Sequence, residues 1–266
     1  MHKSILRYMK ILKSNFKDVC ALGLFVLVLM PSCGEGKKKS GTQAGSPTED
    51  VRTEENQDKY YYNITAVRIG NLDFTAAINN AEKLYELDGN KTILEAQAKT
   101  DYFNSTDGSS PVNNAPILLS KIENGKPFTF TSKVTPSFTQ TGTYSAGVLY
   151  IYSDNSLYQK FCFEQDERGK HRVVTVRTVN TSDDNNHDEV NQPYVYMKIS
   201  SDGKSIGSYY SLDNKNWQMV RLYKNDYPKD LFIGISSQSP KDPKSTTVFE
   251  EIKFENKSIK DFRIGV

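Results

Sequence analysis

From Tyr60 onward, apolar positions come in short alternating runs broken by turn-forming residues, and no i, i+3, i+4 spacing is sustained over three turns. The pattern predicts strands over Ile64–Ile69, Ile93–Ala98, Phe128–Thr135, Tyr144–Ser153, Leu157–Glu164 and Arg172–Val179. Further strands are predicted over Tyr194–Ser200, Ile206–Leu212, Trp217–Tyr223, Leu231–Ser237 and Thr247–Phe254. Ala76 to Leu87 fits either a short helix or loop and strand. Glu167-Arg168-Gly169-Lys170, Ser201-Asp202-Gly203-Lys204 and Asp213-Asn214-Lys215-Asn216 supply Gly and Asn where tight hairpins need positive φ. Consecutive hairpins without intervening helices predict one all-β domain, an antiparallel sandwich or jelly roll.

Alternation assigns side chains to faces. In Leu157–Glu164, Phe161 and Phe163 oppose Tyr158, Lys160, Cys162 and Glu164. In Tyr194–Ser200, Val195, Met197 and Ile199 oppose Tyr196, Lys198 and Ser200. The second face of each strand mixes tyrosine with charge. Sugar-binding surfaces have that composition, because rings stack on pyranose C–H groups while polar groups bond hydroxyls; a solvated outer face has it too.

Hydrophobic residues make up 37% of the 266 and mean hydropathy is −0.60, which excludes a membrane bundle, while 11% aromatic content excludes a disordered polyelectrolyte. The N-terminus is different in kind. Lys3, Arg7, Lys10, Lys13 and Lys17 precede an apolar run from Val19 to Met30, too short to span a bilayer, and Met30-Pro31-Ser32-Cys33 follows. This order predicts a signal peptide over 1–32. It resembles the lipobox of bacterial lipoproteins, with Met30 and Pro31 departing from the commoner residues, and implies lipidation at Cys33 and an outer-membrane or other envelope location.

Losing residues 1–32 takes five basic side chains and Asp18, turning a formal charge of +2 into −2, so nothing favours a nucleic-acid partner. Residues 33–58 hold one large aliphatic, Val51, and read as a flexible linker spanning roughly 25–30 Å. The folded domain is expected over 59–258, with 259–266 as a C-terminal tail. Cys162, flanked by Phe161 and Phe163, is expected to be buried and not catalytic.

Ordered short matches between Leu94 and Phe254 carry a family resemblance. They include Thr100-Asp101-Tyr102-Phe103, Ser145-Ala146-Gly147-Val148-Leu149-Tyr150, Lys160-Phe161-Cys162-Phe163-Glu164, Tyr196-Met197-Lys198-Ile199, Tyr209-Tyr210-Ser211-Leu212-Asp213 and Gly234-Ile235-Ser236-Ser237-Gln238. The segment resembles the regulation-of-enolase-protein family of concanavalin A-like lectin/glucanase domains, long catalogued as a domain of unknown function. The resemblance implies a two-sheet jelly roll with a concave sheet carrying Lys160 and Glu164. Lys198 and Tyr196 stand where Arg and Trp are common, and Asp184 replaces the aromatic of a Ser-Asp-Trp turn begun by Ser182-Asp183.

The leading expectation is therefore a lipid-anchored, non-catalytic carbohydrate-binding domain with a polysaccharide or glycan ligand. Lys160, Glu164, Tyr196, Lys198, Tyr209, Ser211 and Gln238 are the expected groove residues, although Lys160 and Glu164 could instead form an ion pair across one face. A glucanase-type hydrolase is the enzymatic alternative. Against it, Glu164-Gln165-Asp166-Glu167 does not keep its three acids on one strand face, and Arg168-Gly169 begins a turn. A protein-interaction subunit of the envelope is the third reading. No cofactor is required. Residues 183–189, read as an acidic loop, offer oxygen ligands for Ca²⁺ without EF-hand spacing.

Overall fold

The computed structural model describes residues 60–266; the expected signal peptide, Cys33 and the linker lie outside the described residues. In chain order the strands are β1 (Tyr62–Ile69), β2 (Leu72–Ile78), β3 (Tyr85–Asp88), β4 (Lys91–Gln97), β5 (Tyr102–Phe103) and β6 (Val112–Asn113). Next come β7 (Ile117–Glu123), β8 (Phe128–Pro136), β9 (Ala146–Asp154), β10 (Leu157–Gln165), β11 (His171–Val179) and β12 (Thr181–Glu189). The last are β13 (Val195–Ser201), β14 (Ser205–Ser211), β15 (Gln218–Lys224), β16 (Asp230–Gln238) and β17 (Lys244–Glu255). All pairings between them are antiparallel.

Two large sheets form a jelly-roll sandwich. The first, sheet A, has the order β1-β2-β7-β16-β9-β10-β11-β12, and the second, sheet B, β15-β14-β13-β8-β17-β4-β3; β5 and β6 make a separate small hairpin. Each strand predicted from alternation is present to within three residues at its ends, the largest difference being β17, which begins at Lys244 and not at Thr247. The Ala76–Leu87 segment resolves into the end of β2, one 3₁₀ turn at Ala81–Lys83 and β3, so the loop-and-strand alternative holds. Residues 183–189 are a correction: they belong to strand β12, paired with β11, and are not a loop.

The interior is built from one face of each sheet. Phe161 and Phe163 of β10 meet Val195, Met197 and Ile199 of β13 and Phe249 of β17 in a single core, all with no accessible surface. Each buried aromatic or large aliphatic side chain contributes roughly 1.5–3 kcal/mol. The sheets approach closely at Gly147 of β9, where a Cβ would sit 2.4 Å from Thr247 Cγ2 and 2.5 Å from Val134 Cγ1. Only glycine fits there without displacing the facing strands. The turn glycines Gly169 and Gly203 have φ of 73° and 87°, as tight hairpin turns require.

A second apolar layer lies outside sheet A. Register puts Tyr158, Lys160, Cys162 and Glu164 on the outer face with Tyr150, Tyr152, Val174 and Val176. Tyr102, from the β5–β6 hairpin, packs edge-on against Tyr150, Tyr152 and Tyr158 with ring centroids 6.1, 6.1 and 5.2 Å away. The hairpin segment is pinned by Asn104, whose amide donates at 2.9 Å to both Asn155 O and Asn180 O. Beneath that hairpin the face is a second core, closed to water. Cys162 is buried within it as a free thiol, as its neighbours predicted.

Candidate functional site

The seven expected groove residues do not share a groove. Lys160, Glu164 and Gln238 lie on the outer face of sheet A, whereas Tyr196, Lys198, Tyr209 and Ser211 lie on the outer face of sheet B, across the sandwich. The physical reason is that alternation fixes a residue's face within its own strand but not the sheet its strand joins.

On sheet A, Lys160 Nζ donates to Asp101 Oδ1 at 3.0 Å and to Gln238 Oε1 at 3.1 Å, with 3% of its side chain exposed. The anticipated Lys160–Glu164 ion pair is absent because Asp101, brought in ahead of the β5–β6 hairpin, takes the ammonium instead. Asp101 faces back correctly because its own N–H donates to Asn114 Oδ1 at 2.8 Å while its carbonyl accepts from Asn114 and Ala115. Pairing keeps Lys160 protonated: burial opposes the charge, and Asp101, with its other acidic neighbours, outweighs that and raises the pKa.

Among the described residues Glu164 has no ion-pair partner. Its Oε2 accepts from Gln238 Nε2 at a long 3.4 Å, and the same Nε2 donates to Tyr144 O at 2.8 Å. Burial pushes the Glu164 carboxyl well above the usual carboxylate range; Lys160 pulls it back, while Asp184, Asp101 and Asp166 push further. Asp184, set on the same face by its pairing with Val176, is raised by burial too, against the pull of Lys160. A protonated Glu164 donates a hydrogen bond, and an ionised one accepts; both suit a hydroxylated ligand.

Tyr144 borders this carboxyl pair. Its backbone φ is 66°, a left-handed conformation that a bulky residue adopts only under constraint, here the bonds Tyr144 N–H to Gln165 O at 2.7 Å and Gln238 to Tyr144 O. The ring is 38% exposed, and its phenol is raised by burial and then by Glu167, Glu164, Asp184 and Asp166. Asp101 and Tyr144 escaped the sequence reading, Asp101 although it lies within one of the quoted family matches. Strand β10 ends at Gln165, and Asp166 serves the turn, accepting from Arg168 N, Lys170 N and Arg172 Nε at 2.9, 2.8 and 2.9 Å. The glucanase pattern therefore has no strand to sit on. Nor do the acids of β12 converge: among the described residues no three His, Cys, Asp or Glu side chains are placed to hold a metal ion.

On sheet B the residues have other duties. Ser211 Oγ donates to Asp213 Oδ1 at 2.9 Å and accepts from Asp213 N at 3.2 Å, which locks the β14–β15 turn. Tyr209 is fully buried with its hydroxyl donating to Phe262 O at 2.7 Å, and Lys198 Nζ donates to Gly265 O at 2.8 Å. Residues 259–266, expected as a tail, thus pack on sheet B. Tyr196 stays half-buried, edge-on to Tyr194 at 5.9 Å.

Comparison with known proteins agrees with this architecture. Residues 78–257 match the model of the DUF1349 family, described as a protein of unknown function. The chain belongs to that family. Among solved structures, a functionally unknown protein from Saccharomyces cerevisiae is similar at TM-score 0.61 and 19% identity over 68% of this chain and 95% of that one. A bifunctional GH43-CE protein of Bacteroides eggerthii is similar at TM-score 0.53 and 18% identity, over 69% of this chain and 24% of that one. The GH43 protein BlXynB of Bacillus licheniformis is similar at TM-score 0.53 and 13% identity, over 69% and 36%. The chain thus spans about a quarter to a third of the two GH43 proteins. No curated protein matches it.

Proposed function

We propose that the protein is a cell-envelope lipoprotein whose β-sandwich binds a glycan on the outer face of sheet A without cleaving it. The observation that carries the reading is Glu164: a carboxyl buried on an outer sheet face, with no ion-pair partner among the described residues, reached by the Gln238 amide at a long 3.4 Å and set beside exposed Tyr144 and Asp184. Burying such a group is costly unless something repays it, and sugar hydroxyls offer the donors and acceptors that the protein itself does not. Tyr144 supplies the ring, and its constrained backbone holds that ring in place before ligand arrives. Lys160, Asp101 and Gln238 are positioning residues beneath. The similarity to parts of proteins described as GH43 supports the glycan class through fold alone. Export rests on the N-terminal charge pattern, and Cys33→Ser is expected to move the protein from the membrane fraction to the soluble one.

A panel of immobilised neutral oligosaccharides (xylo-, arabino-, gluco- and galacto-series) tests the binding. Wild type is expected to bind at least one series, and Glu164→Gln or Tyr144→Ala to weaken it about tenfold or more. Binding indifferent to both substitutions refutes the site. One observation favours a second reading, hydrolysis: Glu164 and Asp184 share one face, and Glu164 is raised by burial as a glycosidase's general acid is. Shortened products released by wild type but not by Glu164→Gln would establish it.

A further inference from the structure

A cavity of about 1010 Å³ lies on the other side of the molecule, between the outer face of sheet B and residues 257–261. Lys198 opens onto it from the middle of β13. The residue is 8% exposed, and its ammonium rests 3.6 Å from the centre of the Trp217 ring and 2.8 Å from Gly265 O. Among the described residues no carboxylate pairs with it. The other buried lysine among the described residues, Lys160, has Asp101. A desolvated ammonium with one carbonyl and one ring lacks the counter-charge that an ion pair supplies.

Lys253, Lys257 and Lys260 join Lys198 on the cavity wall, which also carries Glu251, Glu255, Asp261 and Val266. Glu255 is already held by Lys253 and Lys257 at 3.2 and 3.1 Å, and Asn214 donates to Glu251 at 3.5 Å. The remaining wall includes Thr131, Asn214 and Ser258, neutral groups that match hydroxyls.

We propose that this cavity is a second ligand site, distinct from the one at Glu164, which binds an acidic oligosaccharide through a uronate carboxylate placed against Lys198. The carboxylate supplies the counter-ion that Lys198 lacks, and the neutral side chains bond the ring hydroxyls. The site is large enough for such a ligand, since small-molecule pockets run about 300–1,000 Å³. It stands independently of the glycan reading for sheet A, since neither shares a residue with the other.

Calorimetric titration of the full chain tests it, with galacturonate, mannuronate and glucuronate trisaccharides as probes and their methyl esters as neutral controls. At least one uronate is expected to bind and its ester not to. Lys198→Met is expected to weaken that binding about thirtyfold or more while Glu164→Gln leaves it unchanged. A melting curve on Lys198→Met checks folding; should that variant misfold, Lys198→Gln replaces it. Acid and ester binding equally, no uronate binding, or an unchanged affinity in the folded Lys198 variant would each overturn the proposal. Neutral glycans lost in Glu164→Gln but retained in Lys198→Met separate the two sites.

Discussion

Each sheet of this sandwich buries a lysine on its outer face, and the two are treated differently. On sheet A the covering segment delivers Asp101 to Lys160, so the cation is neutralised inside the protein and its carboxylate neighbour Glu164 is the group left over. On sheet B the covering segment delivers only the Gly265 carbonyl to Lys198, so the cation itself is left over. An outer face covered by the chain's own segment therefore carries a residual charge preference set by what that segment brings. Sheet A is left with acids and sheet B with a base.

The sharpest way to break this contrast is to remove the covers' anchors. Tyr102→Ala empties the space among Tyr150, Tyr152 and Tyr158 and is expected to cost about 3–5 kcal/mol in urea unfolding. Asp101→Ala strands Lys160 and is expected to cost a similar amount, about 3–5 kcal/mol, whereas Lys198→Met removes a charge that has no carboxylate and is expected to leave stability unchanged or higher. Equal losses in the two variants would erase the distinction between the faces.

Titration sharpens it further. Burial lowers the Lys198 pKa from 10.5 to about 8, so between those values the unfolded chain binds the extra proton and stability rises with pH. The sign reverses for Glu164. Its folded pKa lies above the ordinary 4.5, so the stability it contributes is complete below that value and is lost as pH rises through the folded pKa. Unfolding curves against pH are expected to lose the alkaline rise in Lys198→Met and the acid-side fall in Glu164→Gln. At the bottom of the scale, Asp73→Asn breaks the exposed pair with Arg68 and is expected to change stability by less than about 1 kcal/mol.

Much of the fold was legible because half-buried strands alternate. Phe161 and Phe163 point inward, Lys160 and Glu164 outward, as read from period two. Strands outside that rule were missed. β12, Thr181–Glu189, contains no aliphatic or aromatic core residue and exists because it pairs along β11. β7, Ile117–Glu123, lies between β2 and β16 and is buried on both faces over its first four residues, so it opens as a run without alternation. The site was legible only in parts. Lys160, Glu164 and Gln238 do assemble, but Lys198 and Tyr209 belong to another face, since sheet membership depends on pairings far apart in sequence. Asp101 and the Gly265 carbonyl come from segments that fold back over the sheets, and no local pattern announces that.

The most direct test follows the Glu164 carboxyl carbon by NMR as a function of pH, with and without the oligosaccharide that the panel selects. The account predicts a titration well above the ordinary carboxylate range in the free protein, and a chemical-shift and pKa change on adding the sugar that Tyr144→Ala suppresses. A carboxyl that titrates near 4.5 and ignores the sugar would contradict it.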